Sequence, residues 1–296
     1  MYEQFHQYLK VLKYERKLSP NSYQSYERDL KKFIGYLEEQ GVTEWNRVHK
    51  HHVMKYINML KDAELKSATI ARHIVSIRAL FHFLLLEDHI TFDPSIYIEA
   101  PKQSKQQPKT ITQETAKALL NSPDVTTASG LRDKAMLELL YATGIRVSEL
   151  VALNVEHIHL SLGFIQCISP SGKERFVPFG SYARDALESY LNTGREQLTT
   201  ERTSDDMLFL NHLGSRITRQ GFWKLLKKYG QLAGIEEELT PHTLRHSVAA
   251  HLLQNGADVY TVQELLGHVD IVSTMKYTTL TKNGVKDVYR HAHPRA

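Results

Sequence analysis

Cysteine is nearly absent from this chain, since Cys167 is the single one among 296 residues. One thiol can form no internal disulfide and cannot build a multi-cysteine metal cage. The sequence also lacks a carboxylate cluster suited to two-metal catalysis and a glycine-rich loop that would hold a nucleotide phosphate. We therefore expect neither a metal nor any other cofactor.

Long apolar runs are missing as well. The longest, around Leu80–Leu86, is broken by His82 and followed by acidic residues, so we expect no membrane helix. The N-terminus carries Glu3 and His6 and has no apolar stretch like that of a signal peptide. These features predict a cytoplasmic protein without a membrane partner.

Positive charge is in slight excess and is unevenly distributed. The formal net charge is +4, and residues 1–110 hold 17 Lys+Arg against 13 Asp+Glu, so the excess lies in this part. Such a distribution suits a polyanionic partner such as nucleic acid, although many basic proteins bind none.

A proline- and lysine-rich segment divides the chain. Residues 101–110 contain two prolines, three lysines and no large apolar side chain, which is typical of a linker. A chain of 296 residues also exceeds what one hydrophobic core usually organises. We predict a first domain over residues 1–105, a linker at 106–110 and a second domain over 111–296.

Apolar residues at helical spacing dominate the first domain. Ser19 and Pro20 are typical of a helix start, and apolar side chains then recur every three or four residues until Gly41. Similar patterns predict four helices, which lie near residues 3–16, 20–40, 52–61 and 67–84.

Three basic residues lie in or beside the last of these helices. Taken singly, Lys66, Arg72 and Arg78 are most simply part of a solvated face. Because they lie together and close to a basic linker, a phosphate-contacting face is at least as good an interpretation.

The second domain combines helices with one hairpin. Phe164–Ile168 and Glu174–Phe179 are typical of short strands joined by Ser169-Pro170-Ser171-Gly172. Helices are predicted near residues 131–142, 182–192, 219–232, 241–256, 258–267 and 282–291. The predicted fold class is therefore mainly α with a small β-sheet, in which an all-helical domain precedes an α+β domain.

Five polar side chains of the second domain suggest chemistry. Arg146 follows a glycine turn at a helix start, and His268 follows a glycine that ends a helix. His242 and Arg245 are three residues apart and therefore share one face of a helix. Tyr277 lies nine residues beyond His268.

Such a set is suited to a phosphodiester. Guanidinium groups can grip the non-bridging oxygens and stabilise the charge that grows on them in the transition state. A tyrosine hydroxyl, with an ordinary pKa of about 10, needs such a cationic site and a nearby base before it attacks well. The resulting 3′-phosphotyrosyl bond would conserve the phosphodiester energy, so rejoining would require neither ATP nor a metal.

Each residue also has a simpler explanation. Any one of the 15 tyrosines is by default structural, and so is a lone histidine. His242 and His246 are four apart, as in zinc-binding helices, but Thr243 stands where a zinc protease has its glutamate. A metal-dependent hydrolase is therefore the weakest alternative.

The segments around these residues resemble the tyrosine recombinases of the phage integrase family. Residues 143–150 (TGIRVSEL) are similar to the first family box, and residues 240–247 (TPHTLRHS), 251–253 (HLL) and 265–268 (LLGH) to the second. Tyr277 stands at the expected nucleophile position. The similarity covers nearly the whole chain and is closest to the XerC/XerD subgroup, within it to the XerD branch.

The resemblance implies a role for each residue. Arg146 and Arg245 would clamp the phosphate, His242 and His268 would serve as acid/base and hydrogen-bonding groups, and Tyr277 would be the nucleophile. The first domain would be a SAM-like core-binding domain and the second the catalytic domain. We expect a site-specific DNA recombinase acting in chromosome dimer resolution at cell division.

Partners follow from the same resemblance. The chain is expected to bind a double-stranded DNA recombination site as a homotetramer, or as a heterotetramer with a sister Xer-type recombinase. The septal DNA translocase is a further candidate partner. The C-terminal segment would dock on a neighbouring subunit.

The hairpin departs from the family pattern. Relatives carry a lysine there, which acts as general acid for the leaving 5′-hydroxyl, but the aligned residue here is Pro170. Lys173 is the nearest substitute, although three residues of extended strand correspond to about 10 Å. We hypothesise slower cleavage with intact DNA binding.

The alternatives are a catalytically weakened DNA-binding subunit of a heterotetramer and, less favoured, a phage or transposon integrase.

Overall fold

The computed structural model describes residues 1–101, 108–169, 172, 174–201, 203, 206–237, 239–267 and 274–275. The chain divides into two compact units, Met1–Gln106 and Gln107–Ala296, each with its own hydrophobic core. Helices dominate both units, and the second also carries a three-stranded sheet. The predicted fold class is confirmed.

Four α-helices make up the described part of the first unit. They are α1 (Tyr2–Lys10), continued by a π-helical turn at Val11–Glu15, α2 (Pro20–Glu39), α3 (Lys50–Asp62) and α4 (Ser67–Leu86). The start of α2 shows how local signals act. The Ser19 hydroxyl accepts a hydrogen bond from the Ser22 N–H at 3.2 Å, and Pro20 occupies the first helical position, where a missing N–H is tolerated.

Aromatic rings join these helices into one core. Phe33 of α2 lies 5.0 Å from the ring of Tyr56 in α3 and 6.1 Å from that of Phe81 in α4. The three side chains are fully buried. Rings at these separations interact favourably beyond the area they bury, which fixes the helices against one another.

Helix α4 is longer and more apolar than its contiguous apolar run at Leu80–Leu86 suggests. By length and composition alone Ser67–Leu86 could cross a membrane, although His73, Arg78 and His82 interrupt its apolar residues. More than half of its most apolar window is, however, buried inside its unit, where Ile74, Ile77 and Leu84 belong to the core. A core helix that is apolar over most of its surface has the same composition.

The second unit is built around α6. Its helices are α5 (Gln113–Leu120), α6 (Ala128–Thr143), α7 (Val147–Ala152), α8 (Ser181–Ser189), α9 (Arg195–Leu198), α10 (Arg219–Leu232), α11 (Pro241–Gln254) and α12 (Val259–Leu266), with a π-helical turn at Tyr190–Gly194 between α8 and α9. Helix α6 buries residues on all sides, because α8 and α11 both pack against it. It therefore forms the centre of the core.

The sheet is antiparallel, with the strand order β1 (Ile158–His159), β2 (Phe164–Ile168) and β3 (Glu174–Pro178). The predicted hairpin is present, with Ile168 opposite Glu174, although β3 ends one residue earlier than expected. The sequence pattern did not reveal β1, because a strand of two residues has no periodicity to detect. Buried Ile165, Cys167 and Val177 face the core from β2 and β3.

The caps of α11 and α12 agree with the predicted starts of both helices, although α11 ends at Gln254, earlier than predicted. Thr240 accepts a hydrogen bond from the Thr243 N–H at 3.0 Å, and Pro241 is the first helical residue. Asp258 caps α12, which ends at Gly267 in the left-handed conformation. The helix predicted near residues 282–291 lies outside the described residues.

Candidate active site

Arg146 stands at the start of α7, with 44% of its side chain exposed. Its backbone N–H donates to Glu149 Oε2 at 2.7 Å, and its Nη1 donates to Glu149 Oε1 at 3.3 Å. Its Nη2 donates to the carbonyl oxygen of Gly267 at 3.0 Å. The guanidinium is thus held at one edge by the end of α12, while it still reaches solvent.

Arg245 is buried in α11 and reaches the same helix end. Its Nη1 donates to the carbonyl oxygen of Gly144 at 2.5 Å, and its Nη2 to that of Leu266 at 2.6 Å. The last carbonyls of a helix lack intrahelical partners and carry partial negative charge, so cations are favourable there. The structure therefore brings the two predicted clamp arginines onto consecutive carbonyl groups at the end of α12.

Gly144 and Gly267 allow this convergence. Gly144 ends α6 at φ +59°, and a Cβ there would lie 2.6 Å from Leu266 Cδ2. Gly267 has φ +65°, and a Cβ there would lie 3.0 Å from the guanidinium carbon of Arg175. Both positions require the left-handed region and a close approach, which together favour glycine.

Glu149 is a buried carboxylate between two guanidiniums. In addition to the bonds from Arg146, its Oε1 accepts from Arg175 Nη1 at 2.7 Å and its Oε2 from Arg175 Nη2 at 2.9 Å. Burial alone would raise the pKa of this carboxyl, but the hydrogen bonds from Arg175 and Arg146 hold the pKa below its ordinary value. Glu149 is therefore ionised at neutral pH.

Arg175 and Glu149 were not singled out from the sequence. Glu149 lies in the first family-like segment and Arg175 in the hairpin, but 26 residues separate them, and no periodicity predicts that they meet. Counting formal charges, Arg146, Arg175 and Arg245 against Glu149 leave two positive charges among these four groups. A diffuse positive charge of this kind suits a phosphodiester.

His242 lies in the first turn of α11 and is exposed. Its ring centroid is 6.3 Å from that of His246. Among the residues that the structure describes, no group of three metal-ligating side chains occurs. The roles given to Arg146, Arg245 and His242 remain predictions, although their placement is compatible with one site.

Three of the predicted site residues lie outside the described part of the chain, namely Lys173, His268 and Tyr277. Pro170, on which the departure from the family pattern rests, lies outside it as well. The described part of the hairpin turn has the Gly172 N–H donating to the Ser169 carbonyl oxygen at 2.9 Å, with Gly172 at φ +79°.

His251 connects α11 to the start of the second unit. Its Nε2 lies 2.9 Å from the Ile111 carbonyl oxygen, and its Nδ1 lies 2.9 Å from the Tyr141 hydroxyl. The ring therefore carries its proton on Nε2 and accepts at Nδ1. The Ser247 hydroxyl accepts a hydrogen bond from the Ile111 N–H at 2.9 Å. The backbone N–H and the carbonyl oxygen of Ile111 are therefore both hydrogen-bonded to α11.

The basic residues of the first unit are placed differently from one another. Lys66 is exposed just before α4, and Arg72 lies with its Nη1 2.9 Å from an oxygen of buried Asp29. Arg78 donates to the Ile98 carbonyl oxygen, so part of its guanidinium supports the fold of its own unit. The phosphate-contacting face remains a prediction.

Two family models match the chain. Residues 109–283 match the phage integrase family, and residues 5–88 match the phage integrase N-terminal SAM-like domain. The chain belongs to the phage integrase family of tyrosine recombinases. This makes it a site-specific DNA recombinase of the tyrosine type, as the sequence motifs predicted.

Curated relatives extend the match to nearly the full length. The recombinase is 46% identical to the tyrosine recombinase XerD of Listeria monocytogenes serotype 4b (strain F2365) over 290 residues, 98% of both chains. It is 47% identical to that of Halalkalibacterium halodurans over 291 residues, with 98% of this chain and 97% of the relative covered. The XerD branch predicted from the sequence is thereby confirmed.

Solved structures share the fold at lower identity. A XerH site-specific recombinase bound to a palindromic difH substrate, in a post-cleavage complex, has a TM-score of 0.78 at 23% identity, covering 94% of this chain and 82% of that chain. A lambda integrase dimer bound to a COC′ core site has a TM-score of 0.73 at 17% identity, covering 94% of both chains. These similarities establish the tyrosine recombinase fold.

Proposed function

We propose that this recombinase cuts and rejoins DNA through a 3′-phosphotyrosyl bond on Tyr277 and resolves chromosome dimers at cell division. The observation that carries the site assignment is the convergence of Arg146 and Arg245 on the end of α12. Support for the biological role comes from relatives named tyrosine recombinase XerD, which are 42–47% identical over nearly the whole chain.

In this proposal the two arginines bind the scissile phosphate. Each guanidinium has five N–H donors in a planar fork, and those of Arg146 lie partly in solvent. Their bonds to carbonyl oxygens fix both groups before DNA arrives. Preorganised donors of this kind stabilise the extra negative charge of the pentacoordinate transition state without reorganising.

The Tyr277 oxygen then attacks the phosphorus. A bond forms between the phenolic oxygen and phosphorus as the bond to the 5′ oxygen breaks, and the phenol proton passes to a base. His242 and His268 are the residues we assign to proton transfer and to hydrogen bonding of the phosphoryl oxygens. The reverse reaction, with the 5′-hydroxyl of another strand, completes the exchange.

The leaving 5′ oxygen needs a proton, and the residue that would donate this proton differs from the lysine of the family pattern. Pro170 occupies the position of the usual lysine and has no proton to donate. Lys173 is our candidate replacement. A catalytically weakened subunit is not favoured by the near-full-length similarity to XerD recombinases, so we propose an active enzyme with slower leaving-group departure.

The fold of this chain is similar to that of a lambda integrase in a tetramer bound to a Holliday junction, at 16% identity. The tetramer of that protein suggests the assembly that we propose here. We assign residues 1–105 to core binding and 111–296 to catalysis, in a tetramer formed alone or with a sister Xer-type recombinase. The C-terminal segment would dock on a neighbouring subunit. The proposed setting is the cytoplasm, with the septal DNA translocase as an additional partner.

The experiment is a covalent-adduct assay on a nicked dimer-resolution site, with and without a sister recombinase. Nicking lets the 5′-hydroxyl strand diffuse away, so the phosphotyrosyl adduct accumulates. We expect an adduct from the wild type, none from Tyr277→Phe, and no effect of EDTA. An adduct that survives Tyr277→Phe would refute the nucleophile assignment, and sensitivity to EDTA would instead favour a metal-dependent hydrolase.

A further inference from the structure

The geometry points to Arg175 as a positioning residue of the recombination reaction, which holds Glu149 and, through it, the clamp residue Arg146. This inference rests on the proposed role of Arg146. Arg175 belongs to β3, opposite Cys167 of β2, and only 17% of its side chain is exposed. It is not expected to touch the phosphate itself.

The first observation is that Arg175 binds both oxygens of the buried carboxylate. Its two terminal nitrogens bind the two oxygens of Glu149 at 2.7 and 2.9 Å, in the paired geometry that is specific to arginine. The remaining bonds to Glu149 come from the N–H and Nη1 of Arg146. One carboxylate is therefore shared by the two guanidiniums.

The second observation is that Arg175 also lies against Gly267, the residue that supplies the other acceptor of Arg146. Its guanidinium packs directly on Gly267, where an added Cβ would lie 3.0 Å from both its carbon and its Nε. The Gly267 carbonyl oxygen receives Arg146 Nη2 at 3.0 Å. Both groups that orient the Arg146 guanidinium are thus in contact with Arg175.

Charge explains why a second arginine is useful here. Without Arg175, the buried carboxylate of Glu149 would be compensated by Arg146 alone, and the attraction would draw that guanidinium away from the phosphate. The net charge of Arg146, Arg175, Arg245 and Glu149 would fall from two to one. With Arg175 in place, Glu149 positions Arg146 without cancelling its charge.

Stability alone is a weaker explanation. A buried ion pair is often no more stabilising than apolar side chains of similar volume, because both ions lose hydration. Arg175 Nε is moreover buried without a hydrogen-bond partner among the residues described, which apolar side chains would avoid. An arrangement with this disadvantage is better explained by the orientation that it imposes on Arg146.

The test compares Arg175→Gln, Arg175→Lys and the wild type in single-turnover adduct formation at saturating protein. A displacement of a catalytic group by about 1 Å can lower the reaction rate by about 100-fold. We therefore expect Arg175→Gln to slow adduct formation by roughly 10- to 100-fold. DNA affinity should change by less than about threefold. Arg175→Lys keeps the charge without the paired geometry and should be intermediate. A rate for Arg175→Gln within twofold of the wild type would overturn the inference.

Arg216→Gln is the matched control for loss of a structural arginine. Arg216 binds the opposite end of α7, where its Nη1 donates to the Val151 and Leu153 carbonyl oxygens at 3.2 and 2.8 Å. Its loss should lower thermal stability while leaving the adduct rate of folded protein unchanged. If both variants slow the reaction equally, the effect of Arg175 is merely structural and the inference is wrong.

A double-mutant cycle with Glu149→Gln separates positioning from direct contact with DNA. If Arg175 acts through Glu149, the double variant should react no more slowly than Glu149→Gln alone. Losses that multiply would mean that Arg175 acts independently of Glu149, which contradicts the inference.

The pH profile provides a second readout. The titratable groups that face Glu149 among the described residues are Arg146, Arg175 and the Cys167 thiol, whose pKa burial raises to about 12. Without Arg175 the burial of Glu149 persists while two hydrogen bonds are lost, so its pKa should rise. As the pH is lowered, the adduct rate of Arg175→Gln should therefore begin to fall at a higher pH than the adduct rate of the wild type. Identical pH profiles for the two proteins would contradict the inference.

The controls also distinguish this inference from the proposed function. Wild-type protein that forms no Tyr277 adduct would overturn both. An active wild type together with an equally fast Arg175→Gln overturns only the role of Arg175.

Discussion

Gly144→Ala should cause both backbone strain and a steric clash at the end of α6. At φ +59°, an alanine is strained by roughly 1–2 kcal/mol. Its Cβ would also lie 2.6 Å from Leu266 Cδ2 and 3.2 Å from Val248 Cγ1, and such overpacking typically costs about 1–3 kcal/mol. The expected loss is therefore about 2–5 kcal/mol of unfolding free energy.

Gly234→Ala provides the matched control. Gly234 has φ +68°, but a Cβ there would meet nothing within 4 Å, so only the conformational strain of roughly 1–2 kcal/mol applies. At about 2–4 °C per kcal/mol for a unit of this size, the second-unit transition should fall by roughly 2–8 °C in the control. The decrease for Gly144→Ala should exceed that of the control by roughly 2–12 °C.

The same pair of variants tests the site. The nearest obstacle to this Cβ is the side chain of Leu266, the last residue of α12, and the carbonyl groups at this helix end hold Arg146 and Arg245. Gly144→Ala should therefore slow adduct formation by about 10-fold or more at a temperature where both variants are folded, whereas Gly234→Ala should leave it unchanged. Scanning calorimetry and the nicked-site assay measure the two effects. Equal transition temperatures and equal rates for the two variants would refute the close-approach argument.

Two further predictions concern protons. Burial lowers the pKa of His251, so the folded state binds fewer protons than the unfolded state, and stability should fall as pH decreases below about 6.5. His251→Gln should flatten this dependence between pH 7 and 5.5 in melting experiments, and an unchanged slope would contradict it. A substrate with sulfur at the 5′-bridging position needs little protonation on leaving, so it should rescue this enzyme more than a lysine-containing relative. Pro170→Lys with restored flanking glycines should raise the rate on normal DNA; no extra rescue and no gain would exclude the missing-acid hypothesis.

Local sequence determined most of the helices and their ends. Caps such as Ser19 and Thr240, and the glycine stop at Gly267, act through hydrogen bonds and backbone angles within four residues, so they can be seen in the sequence. The resemblance in the boxes also identified the family, which the comparisons confirm. The two-residue strand β1 and the helix α9 were missed because each is too short for a clear period, and the helix α5 was missed as well.

Only the tertiary structure showed how the site is held together. Arg245 binds carbonyl groups 101 and 21 residues away, and Arg175 meets Glu149 across 26 residues, distances over which sequence spacing carries no information about contact. These pairings depend on how α6, α7, α11, α12 and the sheet pack. The sequence by itself therefore determined the family and predicted which groups carry the chemistry, whereas packing decided which carbonyl and carboxylate groups hold the arginines in place.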